Sequence, residues 1–185
     1  MGFVFRAIGG LVVVIVVVVG VVIGLSLVGS PKPSCADGVV ATSRAAEDSF
    51  NSKWNSFDSA LKGGGAATVT LTEEELTSRG SRYLLEKNVP AKNLQVHLCP
   101  GQGRGQAAMT TEVLGRALDV VLTGHLQLEQ GNSRLTVDSM QIGSVPGQAA
   151  ALAANTILDA ANIQVPSEIR EVTTTSTAAT LKGQK

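Results

Sequence analysis

The sequence predicts an α+β protein in which an N-terminal transmembrane helix is followed by an antiparallel sheet packed on helices. Three features carry this expectation. Residues 8–28 contain no charged side chain. Apolar residues then recur at helical spacing in two stretches, first from Ala46 to Leu61 and again from Leu76 to Leu84. From Leu94 onward the period drops to two, with glycine-bearing turns between the alternating runs.

At about 1.5 Å per helical residue, residues 8–28 reach about 31 Å, close to the ~30 Å hydrocarbon thickness of a bilayer. Secretory signals have apolar cores of only about 7–15 residues, so an uncleaved signal-anchor is favoured. Small residues near position 29 offer a cleavage site, but Pro31 would follow the scissile bond. Cys35 is preceded by Lys32, Pro33 and Ser34, unlike the small and apolar residues of a lipobox. Arg6 and the amino terminus flank one end of the anchor, while beyond the other end Lys32 and Arg44 are offset by Asp37, Glu47 and Asp48. The positive-inside rule therefore places residues 1–7 in the cytoplasm. Residues 29–42, rich in Ser, Pro, Gly and Ala, read as a linker, and 43–182 as one extracytoplasmic domain of a single-pass cell-membrane protein. Gly20 and Gly24 form a GxxxG that makes a parallel homodimer available through the membrane helix.

Lys plus Arg and Asp plus Glu both number 15, so no basic excess attracts nucleic acid. The two cysteines, Cys35 and Cys99, would both face an oxidising compartment, where a single disulfide is the natural pairing and two unpaired buried thiols the alternative.

Each element of the outer domain has its own signal. Ala46, Phe50, Trp54, Phe57 and Leu61 lie on one face of a helix, and Gly63, Gly64 and Gly65 stop it. That face reads as core rather than as a membrane-surface helix, because the opposite face lacks Lys/Arg enrichment. A short strand at 68–71 leads to Thr72 and Glu75, the spacing of a capping box. The second helix follows with Leu76, Gly80, Tyr83 and Leu84 inward, ending near Asn88 before Pro90. Leu94, Val96 and Leu98 alternate with Gln95, His97 and Cys99, residues 100–105 make a turn, and a return strand begins at 106. A long strand over 117–128, a hairpin turn at 129–133 and a strand over 134–142 extend the antiparallel meander. Pro146 and Gly147 introduce a third helix over 148–161 with a small-residue face. Residues 169–174 and 178–181 form either a final hairpin, the favoured reading, or a Thr/Ser-rich tail.

Catalytic chemistry finds little support. His97 and Cys99, with His125 and Cys35, are the only cluster with metal-ligand chemistry, and no HxxxH or CxxC spacing backs it. His97 and His125 read instead as exposed strand residues, the latter at an irregularity after Gly124. There is no G-x-S-x-G elbow, and Gly101, Gly103 and Gly105 lack the Lys-Ser/Thr of a phosphate loop. The expectation is a protein without catalytic residues, metal or cofactor.

The strand-to-helix passage at Val69-Thr70-Leu71-Thr72-Glu73-Glu74-Glu75-Leu76, the Leu94-Gln95-Val96-His97-Leu98 strand and the strand closing at Gly124-His125-Leu126 form a recognisable order with the anchor. With them go the Gly131-centred hairpin to Leu135-Thr136-Val137 and the Gly143-Ser144-Val145-Pro146 approach to an apolar helix. This order resembles small membrane-anchored bacterial proteins related to the TULIP (tubular lipid-binding) superfamily, over most of residues 68–165. The resemblance implies a twisted antiparallel sheet curling around a long helix, with an apolar groove between them for acyl chains. In this chain Leu118, Val120, Leu122, Leu152 and Ile157 would line such a groove, although ordinary core packing explains the same pattern. The implied function is non-enzymatic binding of membrane lipid or another apolar ligand. The alternative is an envelope protein–protein interaction module with no ligand cavity.

Overall fold

The computed structural model describes residues 32–35, 38–88, 91–113, 116–128, 134–142, 145–147 and 168–185. The expected anchor at 8–28 with Gly20 and Gly24, the turn at 129–133 and the helix at 148–161 with Leu152 and Ile157 lie outside the described residues. Among the described residues no helix is long and apolar enough to cross a membrane. The described part is α+β, with two helices and two antiparallel sheets.

Helix α1 (Arg44–Lys62) starts at Ser43, whose extended backbone and side-chain oxygen cap the Ala46 N–H, and it stops at the glycine triplet, where Gly64 takes φ +81°. Its apolar stripe buries Ala46, Phe50, Phe57 and Leu61, with Trp54 stacked on Phe50 at 6.0 Å. Strand β1 (Ala66–Thr72) runs straight into α2 (Glu73–Glu86) through the capping box. The Glu75 N–H donates to Thr72 Oγ1 at 3.2 Å, and the Thr72 N–H donates to Glu75 Oε2 at 2.9 Å.

The C-terminal residues form the expected hairpin, β7 (Ile169–Thr174) and β8 (Ala178–Gln184), and β8 inserts between β1 and β7. This three-stranded sheet carries α1 on its apolar face, where Phe50, Phe57 and Leu61 meet Val69, Leu71, Ile169 and Val172. Gly183 allows the close approach, since a Cβ there would lie 2.9 Å from Leu61 and 3.0 Å from Phe57. The hairpin is ordered because it supplies a wall of this core, which local composition does not reveal.

The second sheet is the meander β2 (Ala91–Cys99), β3 (Arg104–Val113), β4 (Arg116–Gln127), β5 (Arg134–Ile142) and β6 (Val145–Gly147), each strand beside its chain neighbour. The sheets meet at Gly101 and Thr174, which exchange N–H to carbonyl hydrogen bonds of 2.9 and 2.8 Å. The buried Thr174 hydroxyl also donates to the Cys99 carbonyl at 2.6 Å. Helix α2 lies along the edge of β2, where the Val96 N–H donates to Thr77 Oγ1 and the Leu98 N–H donates to Glu73 Oε1. A sheet edge open to intermolecular pairing is thereby occupied by side chains of the same chain.

Candidate functional site

The meander has two unlike faces. Directly opposed residues share a face, so the register sets Ala107, Leu122 and Met140 in one row and Met109, Val120 and Ile142 in the next. Met109, Val120, Leu122, Met140 and Ile142 are all buried, Val120 completely. Leu118 continues this face opposite Thr111 and is half-buried. Three of the five residues expected to line a groove therefore stand together, while Leu152 and Ile157 fall outside the described residues. Met109, Met140 and Ile142 were missed. Their alternation is visible in the sequence, but only the strand register shows that they join Val120 and Leu122.

The other face carries polar side chains and receives the chain before α1. Cys35 and Cys99 form a disulfide with a Cα–Cα distance of 5.0 Å. This engages both sulfurs, so neither is available as a thiolate ligand or nucleophile. Gln106 Oε1 accepts the Ser34 and Cys35 N–H groups at 2.7 and 3.0 Å, and its Nε2 donates to Ser34 Oγ and Thr123 Oγ1, both at 2.9 Å. Further along, the Val40 N–H donates to Gln95 Oε1 and the Ser43 N–H to Ser78 Oγ at 3.1 Å. The linker expected over 29–42 is thus fastened to the sheet from Ser34 onward. Gln95 and Gln106 hold it through side-chain amides, whose long-range partners leave no local signal.

The expectation of an exposed His97 is overturned, for the residue is only 2 % exposed. Alternation assigned it to the solvent side, but that side is covered by the strap at 38–40 and the first turn of α2. Its Nδ1 is buried without a hydrogen-bond partner. His125 is one-third exposed, lies beside the bulge between Thr123 and Gly124, and has Nδ1 2.8 Å from Asp138 Oδ1.

Two surface clefts flank α2. One, of about 370 Å³, lies at its first turn against the strap, His97 and the β7–β8 turn. The other, of about 450 Å³, runs between the starts of α1 and the second half of α2, with Arg44, Glu47, Arg82 and Leu85 on its walls. Between α1 and α2, burial opposes ionisation of Glu75, but Lys53 at 2.7 Å, the Ser49 hydroxyl and the Thr72 N–H outweigh it and hold the carboxyl below its ordinary range. That cluster is occupied with joining two helices.

Comparison of the chain with protein-family models, with curated proteins and with solved structures returns no match.

Proposed function

We propose that the chain is a membrane-tethered extracytoplasmic domain, non-enzymatic, that binds lipid or another apolar ligand on the aliphatic face of its five-stranded sheet. The observation that carries this reading is the row-by-row register of Met109, Val120, Leu122, Met140 and Ile142, five aliphatic side chains that adjoin on one face, with Leu118 and Thr111 in the next row. Aliphatic chains pack on such a surface without directional partners, and the two methionines adapt to irregular shapes. Each methylene transferred from water contributes roughly 0.8 kcal/mol, so affinity needs no polar motif. The disulfide fits an oxidising compartment.

The fastened strap adds a geometric argument. An untied linker over 29–42 would reach about 46 Å, but with Cys35 fixed to the sheet only the steps from 28 to 35 remain, about 24 Å. With an anchor at 8–28, the sheet stands next to the bilayer that supplies its ligand, and Gly20 and Gly24 are the face on which two anchors would pair.

Native mass spectrometry of the full chain released from detergent micelles tests the proposal. An acyl-chain adduct of fixed stoichiometry that survives detergent removal is the expected result, and a bare chain overturns it. A bare chain would favour the second reading, an envelope interaction module, for which the exposed apolar side chains of Val39 and Leu85 beside the two clefts are the specific support.

A further inference from the structure

The chain before α1 lies on the polar face of the meander without joining it as a strand. Its C-terminal end is fixed, because Ser43 is the N-cap of α1. Ahead of that point Ser34, Cys35 and residues 38–42 form no strand pairing, and only Cys35 and Val40 are even half-buried. Val39 is 87 % exposed. The noncovalent hold on these residues comes from two side-chain amides. Gln106 accepts the Ser34 and Cys35 N–H groups and donates to Ser34 Oγ, and Gln95 accepts the Val40 N–H. Each such bond replaces one to water and contributes little net, whereas each backbone residue held still costs conformational entropy. Four hydrogen bonds over these seven described residues, with almost no apolar burial, do not balance that cost. The bridge from Cys35 to Cys99 supplies the difference.

What the strap covers points the same way. Gly38–Val40 form one wall around His97, a residue 2 % exposed whose Nδ1 has no hydrogen-bond partner. Buried polar atoms are nearly always paired, so the seated strap carries a penalty that lifting it relieves by admitting water. We propose that the Cys35–Cys99 bridge is a redox-set latch: once it is reduced, Ser34, Cys35 and Gly38–Val40 lift from the polar face of the meander and uncover His97. None of the buried hydrophobic residues except Cys99 touches this device, so both sheets and both helices stay folded. The step is thiol–disulfide exchange with a dithiol reductant. One thiolate attacks Cys35, half-buried where Cys99 is 5 % exposed, the Sγ–Sγ bond breaks, and Cys99 leaves as a thiolate. The second thiolate of the reductant then displaces Cys35. Two electrons reach the bridge, the reductant ends as a disulfide, and the two protons of its thiols end on Cys35 and Cys99. With an anchor at 8–28, lifting the strap also restores the longer tether, a consequence that alone rests on the membrane reading.

The test equilibrates the full chain in detergent micelles with reduced and oxidised glutathione and reads the bridged fraction by thiol alkylation and mass spectrometry. Gln106→Ala should lower the equilibrium constant for bridge formation about tenfold, because the hydrogen bonds of Gln106 to the strap exist only in the bridged form. A strap that stays seated after reduction would keep those bonds in both forms. The constant would then not move, and that result overturns the latch. Any loss of fold stability common to the two redox forms cancels from this ratio. A second measurement needs no variant. The chain has two histidines, so His125, one-third exposed, serves as the reference for imidazole labelling by diethylpyrocarbonate. His97 should be protected in the bridged chain and labelled after reduction with a phosphine, while His125 is labelled alike in both. His97 equally protected in the two forms overturns the proposal. So does a reduced chain whose far-ultraviolet circular dichroism shows that the sheets are lost.

Discussion

Glu75 sits between α1 and α2 with Lys53, Ser49 and Thr72 as partners, and its pKa is held down although burial pushes it up. A carboxyl whose folded pKa is depressed stabilises the fold above its unfolded value, here near 4.5, and loses that contribution as pH falls through the lower folded value. Glu75→Gln should therefore unfold at a lower temperature than the parent chain at pH 7, and the gap should narrow as pH falls below 4.5 and through the lowered folded value. A gap that is unchanged with pH in thermal melts would assign the effect to packing alone. At Gly124 the constraint is steric, for a Cβ would lie 2.6 Å from the Thr136 carbonyl oxygen at the β4 bulge. Gly124→Ala should cost about 1–3 kcal/mol in denaturant unfolding. Some of this detail was legible in the sequence. Thr72 and Glu75 announce their capping box because the interaction spans three residues, whereas the burial of His97 depends on a strap more than fifty residues away.

The contact of α2 with the edge of β2 rests on a match of repeats. Residues four apart on a helix are separated by about 6 Å and residues two apart on a strand by about 6.8 Å, so Glu73 and Thr77 meet the N–H groups of Leu98 and Val96 in succession. Thr77→Val keeps the shape and removes the acceptor, leaving the Val96 N–H unpaired under a helix. The expected loss is about 1–3 kcal/mol in denaturant unfolding, together with faster strand-mediated aggregation by light scattering. Stability equal to the parent chain would show that water reaches that N–H. Element types and boundaries were largely readable, because helical and strand periods persist over many residues in α1, α2 and the meander. The partnering of α2 with a strand edge was not, since Thr77 reads in sequence as an ordinary helix-surface threonine.

At the scale of the molecule, the disulfide closes a loop across 64 positions and ties the start of the domain to β2. Chain-entropy reasoning assigns such a loop about 4 kcal/mol. Replacing both Cys35 and Cys99 with Ser should lower stability by an amount of that order and expose residues 34–43 to proteolysis. If limited digestion cuts this segment no faster than in the parent chain, Gln95 and Gln106 hold the strap without the bridge. The sequence by itself determined what short-range chemistry determines: an uncharged apolar stretch of bilayer length, the capped helices, the alternating strands and two cysteines able to pair. Only the tertiary structure decided that β8 lies between β1 and β7, that Met109, Met140 and Ile142 share a face with Val120 and Leu122, and that a strap buries His97. Those relations join residues far apart in the chain. Side-chain amides, cross-strand register and a covalent bridge set them, and none of these leaves a periodic trace along the chain.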